Sequence, residues 1–214
     1  MIIVLFGPPG VGKGTVGTFL SKDLNIPLIS TGDILRRNVK KRTELGRRAK
    51  SFMEKGALVP DEIIVKMVKE EVSHLKKGFI LDGFPRTLNQ AEKLEMIMSN
   101  NSYQVVNLEA EDDFLINRLS NRRICENCGA IYHLINIPPK RKGVCDRCGG
   151  SLYQREDDQE EVVKERLSLF HSGAQPILSY YRKKGSLKSV DGSLPLQKIV
   201  NSIKGKIKGD TNKE

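Results

Sequence analysis

Hydrophobic residues along this chain come in two kinds of run, short unbroken ones and longer ones spaced at a helical interval, and the two kinds take turns. Met1 to Phe6 is apolar throughout and stops at Gly7, Pro8 and Pro9, the pattern of a strand buried on both faces. From Thr15 to Leu24 the apolar positions Val16, Phe19, Leu20 and Leu24 recur at helix period until Asn25 and Pro27 interrupt them. Leu28-Ile29-Ser30 predicts a short strand, Thr31-Gly32-Asp33 opens a helix, and Glu44 to Lys55 forms another. Pro60-Asp61-Glu62 starts a helix with acidic groups at its positive end, and Gly78 to Gly83 is a buried strand that finishes on the carboxylate of Asp82. A helix from Asn89 to Met98, a strand from Val105 to Leu108 and a helix from Asp112 to Leu119 follow. After an interruption come a helix from Glu160 to Tyr181, a strand from Leu187 to Val190 and a helix from Leu196 to Ile207.

This alternation predicts an α/β fold of three layers, α/β/α, around a central parallel sheet of five strands. Ligands of such folds sit at the carboxyl ends of the strands. Two segments break the rhythm. Residues 30–59 read as a small helical insert, and residues 121–158 carry cysteines, glycines and the pair Pro138-Pro139 with no helical period. The expected core is therefore 1–29, 60–120 and 159–214.

Composition narrows this picture only modestly. A chain of 214 residues, 38% hydrophobic and 29% charged, suits one core with insertions, and no apolar run nears the roughly 20 residues that span a bilayer. The apolar amino end is too short for a secretory leader and lacks a basic flank, so a cytoplasmic protein with no membrane partner is expected. The net charge of +10 points to anionic partners without choosing among nucleotides, nucleic acid and acidic lipid. Part of the excess lies at Lys204, Lys206, Lys208 and Lys213, which read as a solvated helix end.

The first specific chemistry lies in Gly7-Pro8-Pro9-Gly10-Val11-Gly12-Lys13-Gly14-Thr15, between a strand and a helix. Glycines let backbone N–H groups converge on phosphate oxygens, the helix amino terminus adds partial positive charge, and Lys13 adds a full one. A tight turn alone would account for the glycines but not for the lysine. Gly14 stands where the general motif places Ser or Thr directly after the lysine, with Thr15 one position later. The hydroxyl that the general motif offers to magnesium is thus displaced, and any magnesium here would be held mostly by phosphates and water.

Cys125-x-x-Cys128 and Cys145-x-x-Cys148 include every cysteine of the chain, with 16 residues between the pairs. That spacing lets two turns present four thiolates to one tetrahedral zinc ion; a redox dithiol and two disulfides are the alternatives, and disulfides are uncommon in the reducing compartment expected for a chain without a secretion signal. Four thiolates leave no open position for water, so such a zinc is structural. His133 lies nearby, but the ligand set is complete without it. His74, His171 and the pair Tyr180-Tyr181 read as ordinary surface or core positions.

With its lysine-glycine-threonine loop ending, Ser30-Thr31-Gly32-Asp33, Asp82-Gly83-Phe84-Pro85-Arg86, Asn121-Arg122-Arg123, Arg155 with Asp157-Asp158, and Arg166, the chain closely resembles the adenylate kinase family over nearly its whole length. The resemblance implies reversible transfer of the γ-phosphate of ATP to AMP, giving two ADP, with magnesium as cofactor and a monomeric enzyme. It makes residues 30–59 an AMP-binding insert and residues 121–158 a lid, which some members of the family tie together with zinc. It places ATP on Gly10, Val11, Gly12, Lys13, Gly14 and Thr15, with Arg122 at its phosphates and the backbone of Ile131 and Tyr132 near its base. It places AMP against Thr31, Arg36, Ala57, Leu58, Val59, Gly83, Phe84, Pro85, Arg86 and Gln90, with Arg155 and Arg166 on the phosphate side. Asp82 would hold magnesium through water.

The residue types suit that reaction. Transfer between two nucleotides gathers several negative charges in line, so catalysis is chiefly positioning and neutralisation, for which Lys13, Arg86, Arg122, Arg155 and Arg166 are apt. Arginine forks pair with phosphate oxygens bidentately and stay charged. The AMP phosphate, with a second pKa of about 6, is largely ionised at neutral pH and needs no general base. Inserts that close and exclude water would protect ATP from hydrolysis, with Gly32 and Gly56 easing the motion. Two other readings remain open at this stage. A kinase for another nucleoside monophosphate would share the arginines, with base choice felt at Thr31 and Gln90. A nucleic-acid-binding ATPase would use the cysteine module as a zinc ribbon, though only Tyr132 and Tyr153 offer stacking surfaces there.

Overall fold

The computed structural model describes residues 1–54, 57–75, 77–98 and 102–211; Lys55, Gly56 and Lys213 of the sequence reading lie outside them. A central sheet is formed by β1 (Ile2–Phe6), β2 (Leu28–Ser30), β3 (Phe79–Asp82), β4 (Tyr103–Glu109) and β8 (Leu187–Asp191) in the order β2-β3-β1-β4-β8. Every pairing is parallel, with Leu5 opposite Asp82 on one side and Val106 on the other.

Strand β1 shows why its sequence is apolar at every position. Ile2, Val4 and Phe6 enter one hydrophobic cluster and Ile3 and Leu5 another, so both faces of the strand are covered. The first cluster is built with Ile63 and Met67 of α4 (Asp61–Val72) and Leu94 of α5 (Leu88–Met98). The second uses Val16 and Leu20 of α1 (Lys13–Leu24), Leu115 of α6 (Asp112–Ser120) and Ile199 of α8 (Leu196–Thr211). Helix α7 (Glu160–Lys183) serves both clusters, giving Val163 and Leu167 to one and Ala174, Ile177 and Tyr181 to the other. The expected three-layer fold with five parallel strands is what is observed.

Between β2 and α4 lie α2 (Thr31–Lys40) and α3 (Glu44–Glu54), packed closely enough that a Cβ on Gly46 would stand inside the Asn38 carbonyl. The segment between α6 and α7, expected to lack helix, forms a small antiparallel sheet of β5 (Arg122–Cys125), β6 (Ile131–His133) and β7 (Leu152–Tyr153) in the order β6-β5-β7. A turn of 3-10 helix at Glu156–Asp158 joins it to α7. Of the tail's lysines, Lys206 is exposed as expected and Lys204 partly so, and both are also bonded. Lys204 pairs with Asp23 at 2.6 Å and the Lys206 ammonium donates to the Ser189 carbonyl at 2.7 Å, so both tie α8 to the core.

Candidate active site

Helix α1 begins at Lys13, two residues before its apolar pattern does, and Gly12 caps it at φ 103° with no capping side chain. Its first turn carries no acidic residue, which leaves the positive end of the helix open to an anion. Gly7, at φ 137°, runs so close to β4 that a Cβ there would collide with the Leu108 carbonyl. The loop therefore hugs the sheet while its helix end faces the cleft. Lys13 curls back, donating to the carbonyls of Gly7 and Pro8 at 2.8 Å each. Burial pushes its pKa down to about 8; Asp82 opposes the shift, and Arg86, Arg166 and Arg122 reinforce it.

Asp82 stands at the carboxyl end of β3, and a Cβ on Gly14 would lie 3.5 Å from its Oδ2. Burial raises its pKa against the pull of Lys13 and Arg86. The chain then turns through Gly83, Phe84 and Pro85, with a cis peptide before the proline. Phe84 is buried, which anchors the turn, and the Thr31 hydroxyl donates to the Asp82 carbonyl at 3.1 Å.

Arg86 donates through Nε to the Gly83 carbonyl at 2.9 Å. Its side chain is open to solvent yet deep enough among protein groups that burial, then Arg166, lowers its pKa; open to solvent, it keeps its charge. Arg155 is lowered by burial, then by Arg36 and Arg122. Such mutual influences reflect closeness: Lys13, Arg36, Arg86, Arg122, Arg155 and Arg166, drawn from six separate places along the chain, lie around one cleft. Gly7, Lys13, Leu58, Arg86, Arg166 and Phe170 line a cavity within it. Ala57 and Leu58 are exposed, whereas Val59 is buried.

Carboxylates hold several of these cations in place. Arg122 pairs bidentately with the fully buried Asp158, at 2.8 Å from Nε and 2.6 Å from Nη2. Arg166 pairs with Asp157 at 3.0 Å and also donates to its carbonyl at 2.7 Å. Arg36 pairs with Asp33 at 2.6 Å. Arg123 points elsewhere, donating to the carbonyls of Ser120 and Arg122 and so closing the end of α6. Gln90 is buried, with its amide bonded to the Arg86 N–H and to Asp61.

Arg118 belongs to the cleft and escaped the sequence reading. Its guanidinium donates to the Val11 carbonyl at 3.3 Å and lies 3.3 Å from where a Cβ on Gly12 would stand. In sequence it is an ordinary basic residue in the last turn of a helix, and only the packing of α6 against the loop reveals it.

The four cysteines are free thiols whose sulfurs lie within 4.8 Å of one another, with Cys125 and Cys148 3.4 Å apart and Cys128 and Cys145 3.6 Å apart. Tetrahedral coordination at about 2.3 Å would set sulfurs about 3.8 Å apart, so the cluster fits a metal ion of zinc size. Ile131 is exposed, and Tyr132 is buried with its hydroxyl 3.5 Å from the Cys145 sulfur, where it accepts from the Asp146 N–H at 2.7 Å. His133 takes no part; its Nδ1 accepts the N–H groups of Ile135 and Asn136. His171 pairs with Asp112 on the surface at 2.9 Å. Tyr181 is fully buried and meets Tyr180 edge-on.

Comparison with known proteins gives the family of the chain. The family model described as adenylate kinase matches residues 5–186. A protein named adenylate kinase from Methanocella arvoryzae is 51% identical over 213 residues, covering 97% of this chain and 99% of its own. One of the same name from Caldicellulosiruptor bescii is 54% identical over 192 residues, covering 87% and 89%. Another from Staphylococcus epidermidis is 51% identical over 208 residues, covering 95% and 97%. Since the family model covers most of the chain and relatives of that name are about half identical to it over nearly its full length, this chain belongs to the adenylate kinase family.

Proposed function

We infer that this chain catalyses the reversible transfer of the γ-phosphate of ATP to AMP, giving two ADP. The observation that carries the reading is the convergence of Lys13 and five arginines on one cleft, more positive charge than a single nucleotide would require. Two polyphosphate groups facing each other would meet that charge, and a family of nucleoside monophosphate kinases supplies the chemistry.

In this reading ATP lies on Gly10 to Thr15, with the Lys13 ammonium leaving its loop carbonyls for the phosphates. Arg118 and Arg122 flank it. AMP lies between residues 30–59, acting as its binding insert, and the Gly83–Arg86 turn with Gln90. Thr31 is part of that wall through its bond to the Asp82 carbonyl, and Arg36, Arg86, Arg155 and Arg166 surround the transferred group. Asp157 and Asp158 aim arginines, and no residue is needed as a base because the acceptor phosphate is already ionised.

Asp82 would hold magnesium through water, and the ion would supply neutralisation of phosphate charge; Gly14 keeps the loop backbone beside that carboxylate without a side chain. Zinc on Cys125, Cys128, Cys145 and Cys148 would tie residues 121–158 into a stable lid whose closure excludes water. We further propose a monomeric cytoplasmic enzyme whose partners are its nucleotides. ADP formation from ATP, AMP and magnesium, with Arg86→Ala as the control, tests the reading. A folded wild type that forms no ADP, or an Arg86→Ala variant as active as wild type, would overturn it.

A further inference from the structure

We propose that Asp61 is a positioning residue of the acceptor-nucleotide site: it fixes the side-chain amide of Gln90 in one orientation and, through it, the turn from Gly83 to Arg86. The inference rests on the reading above that this turn and Gln90 hold AMP.

Three donors from the start of α5 converge on the Asp61 carboxylate. Oδ1 accepts from Gln90 Nε2 at 2.6 Å, and Oδ2 accepts from Asn89 Nδ2 at 2.7 Å and from the Thr87 hydroxyl at 2.9 Å. On its other side the Gln90 Oε1 accepts the backbone N–H of Arg86 at 2.7 Å, and the Thr87 hydroxyl accepts the backbone N–H of Gln90 at 3.0 Å. The orientation of the amide is dictated by chemistry. A backbone N–H only donates and an ionised carboxylate only accepts, so the amide oxygen must face Arg86 and its nitrogen must face Asp61. Reversing the amide would set donor against donor and acceptor against acceptor, in a residue only 2% exposed, where unmade hydrogen bonds are expensive.

The position of Asp61 gives the contact its reach. It is the first residue of α4, directly after residues 30–59, whereas Thr87 and Gln90 follow the turn at the end of β3. One carboxylate thus joins the exit of the helical insert to the turn that presents Arg86. The hydrogen bonds of Asp61 run to Thr87, Asn89 and Gln90, so its influence on Arg86 passes chiefly through Gln90.

Asp61→Asn keeps the shape but offers one acceptor oxygen to three donors, and it lets the Gln90 amide turn over. Loss of one well-made hydrogen bond predicts a KM for AMP raised about tenfold, with the KM for ATP and kcat each within about threefold of wild type. Asn89→Ala, which removes an exposed donor that does not hold Gln90, should leave both KM values at wild-type level. In a double-mutant cycle, Asp61→Ala should raise the KM for AMP far less in the Gln90→Ala background than in the wild type, because the first acts chiefly through the second. An unchanged KM for AMP, a parallel rise in both KM values, or additive effects in the cycle would each overturn the proposal. If Asp61→Asn does not fold, Asp61→Glu, which keeps the acceptors but displaces them by one methylene, carries the same comparison. Wild-type ADP formation is measured first: its failure overturns the assigned reaction, whereas a wild-type enzyme indifferent to Asp61→Asn overturns only the positioning role.

Discussion

Lys13 carries its charge in surroundings that resist it. Its pKa of about 8 stands below the ordinary 10.5 chiefly because of burial. Phosphates in contact with the ammonium would favour the protonated form, so ATP binding above pH 8 should draw a proton from solution. Affinity for ATP is then expected to fall about tenfold per pH unit between pH 8.5 and 9.5, measured by titration calorimetry in buffers of different ionisation enthalpy. Stability has the opposite slope. With the folded pKa below the unfolded one, the cost of holding the charge is fully present below pH 8 and is relieved as pH climbs toward 10.5. A stabilising rise with pH alongside weakening ATP affinity is a combination that general denaturation does not produce. At Asp158, fully buried against Arg122, substitution by Asn leaves a cation without its counter-charge. A loss of about 3 kcal/mol is expected in chemical denaturation, with lowered kcat because Arg122 is no longer aimed.

Elements bring together what the chain separates. Helices α2 and α3 come close together at Gly46, where a Cβ would sit 2.7 Å from the Val39 nitrogen and closer still to the Asn38 carbonyl. Both neighbours are backbone and cannot rotate away. Gly46→Ala should therefore part the two helices, cost about 1–3 kcal/mol in thermal or denaturant unfolding, and raise the KM for AMP more than that for ATP. Equal effects on both nucleotides would argue against residues 30–59 as the AMP side. Long helices and buried strands were legible from periodicity, and α7 and β1 appear within a few residues of their expected bounds. The three strands β5, β6 and β7 were not, because runs of four, three and two residues are too short for alternation to register.

Across the whole molecule, the small antiparallel sheet is held by its cysteine turns and by a satellite cluster of Cys125, Ala130, Tyr132 and Cys145, apart from the two clusters that flank the main sheet. So small a core would not order the segment by burial alone. Chelation at neutral pH should release one zinc per chain, measured by atomic absorption, lower the melting temperature, and make residues 121–158 the first site of proteolysis, while the five-stranded core keeps its far-UV signal. Cys145→Ser should do the same without chelator. The +10 charge has a comparable division: lysines of α8 tie that helix to the core, while the cations of the cleft oppose one another and await phosphate.

The alternation of the core strands and helices, the phosphate loop and the two Cys-x-x-Cys turns could be read from the chain because each rests on neighbours within a few residues. Spacing, glycine and charge act locally, and hydrophobic period reports which face is covered. The partners of the cations could not be read that way. Arg122 meets Asp158 across 36 positions and Arg118 meets Val11 across 107, while Asp61 reaches Gln90 across 29. Such contacts exist only after parallel strands have brought their carboxyl ends to one edge, since charge and hydrogen bonding act over a few ångströms, whatever the distance along the chain.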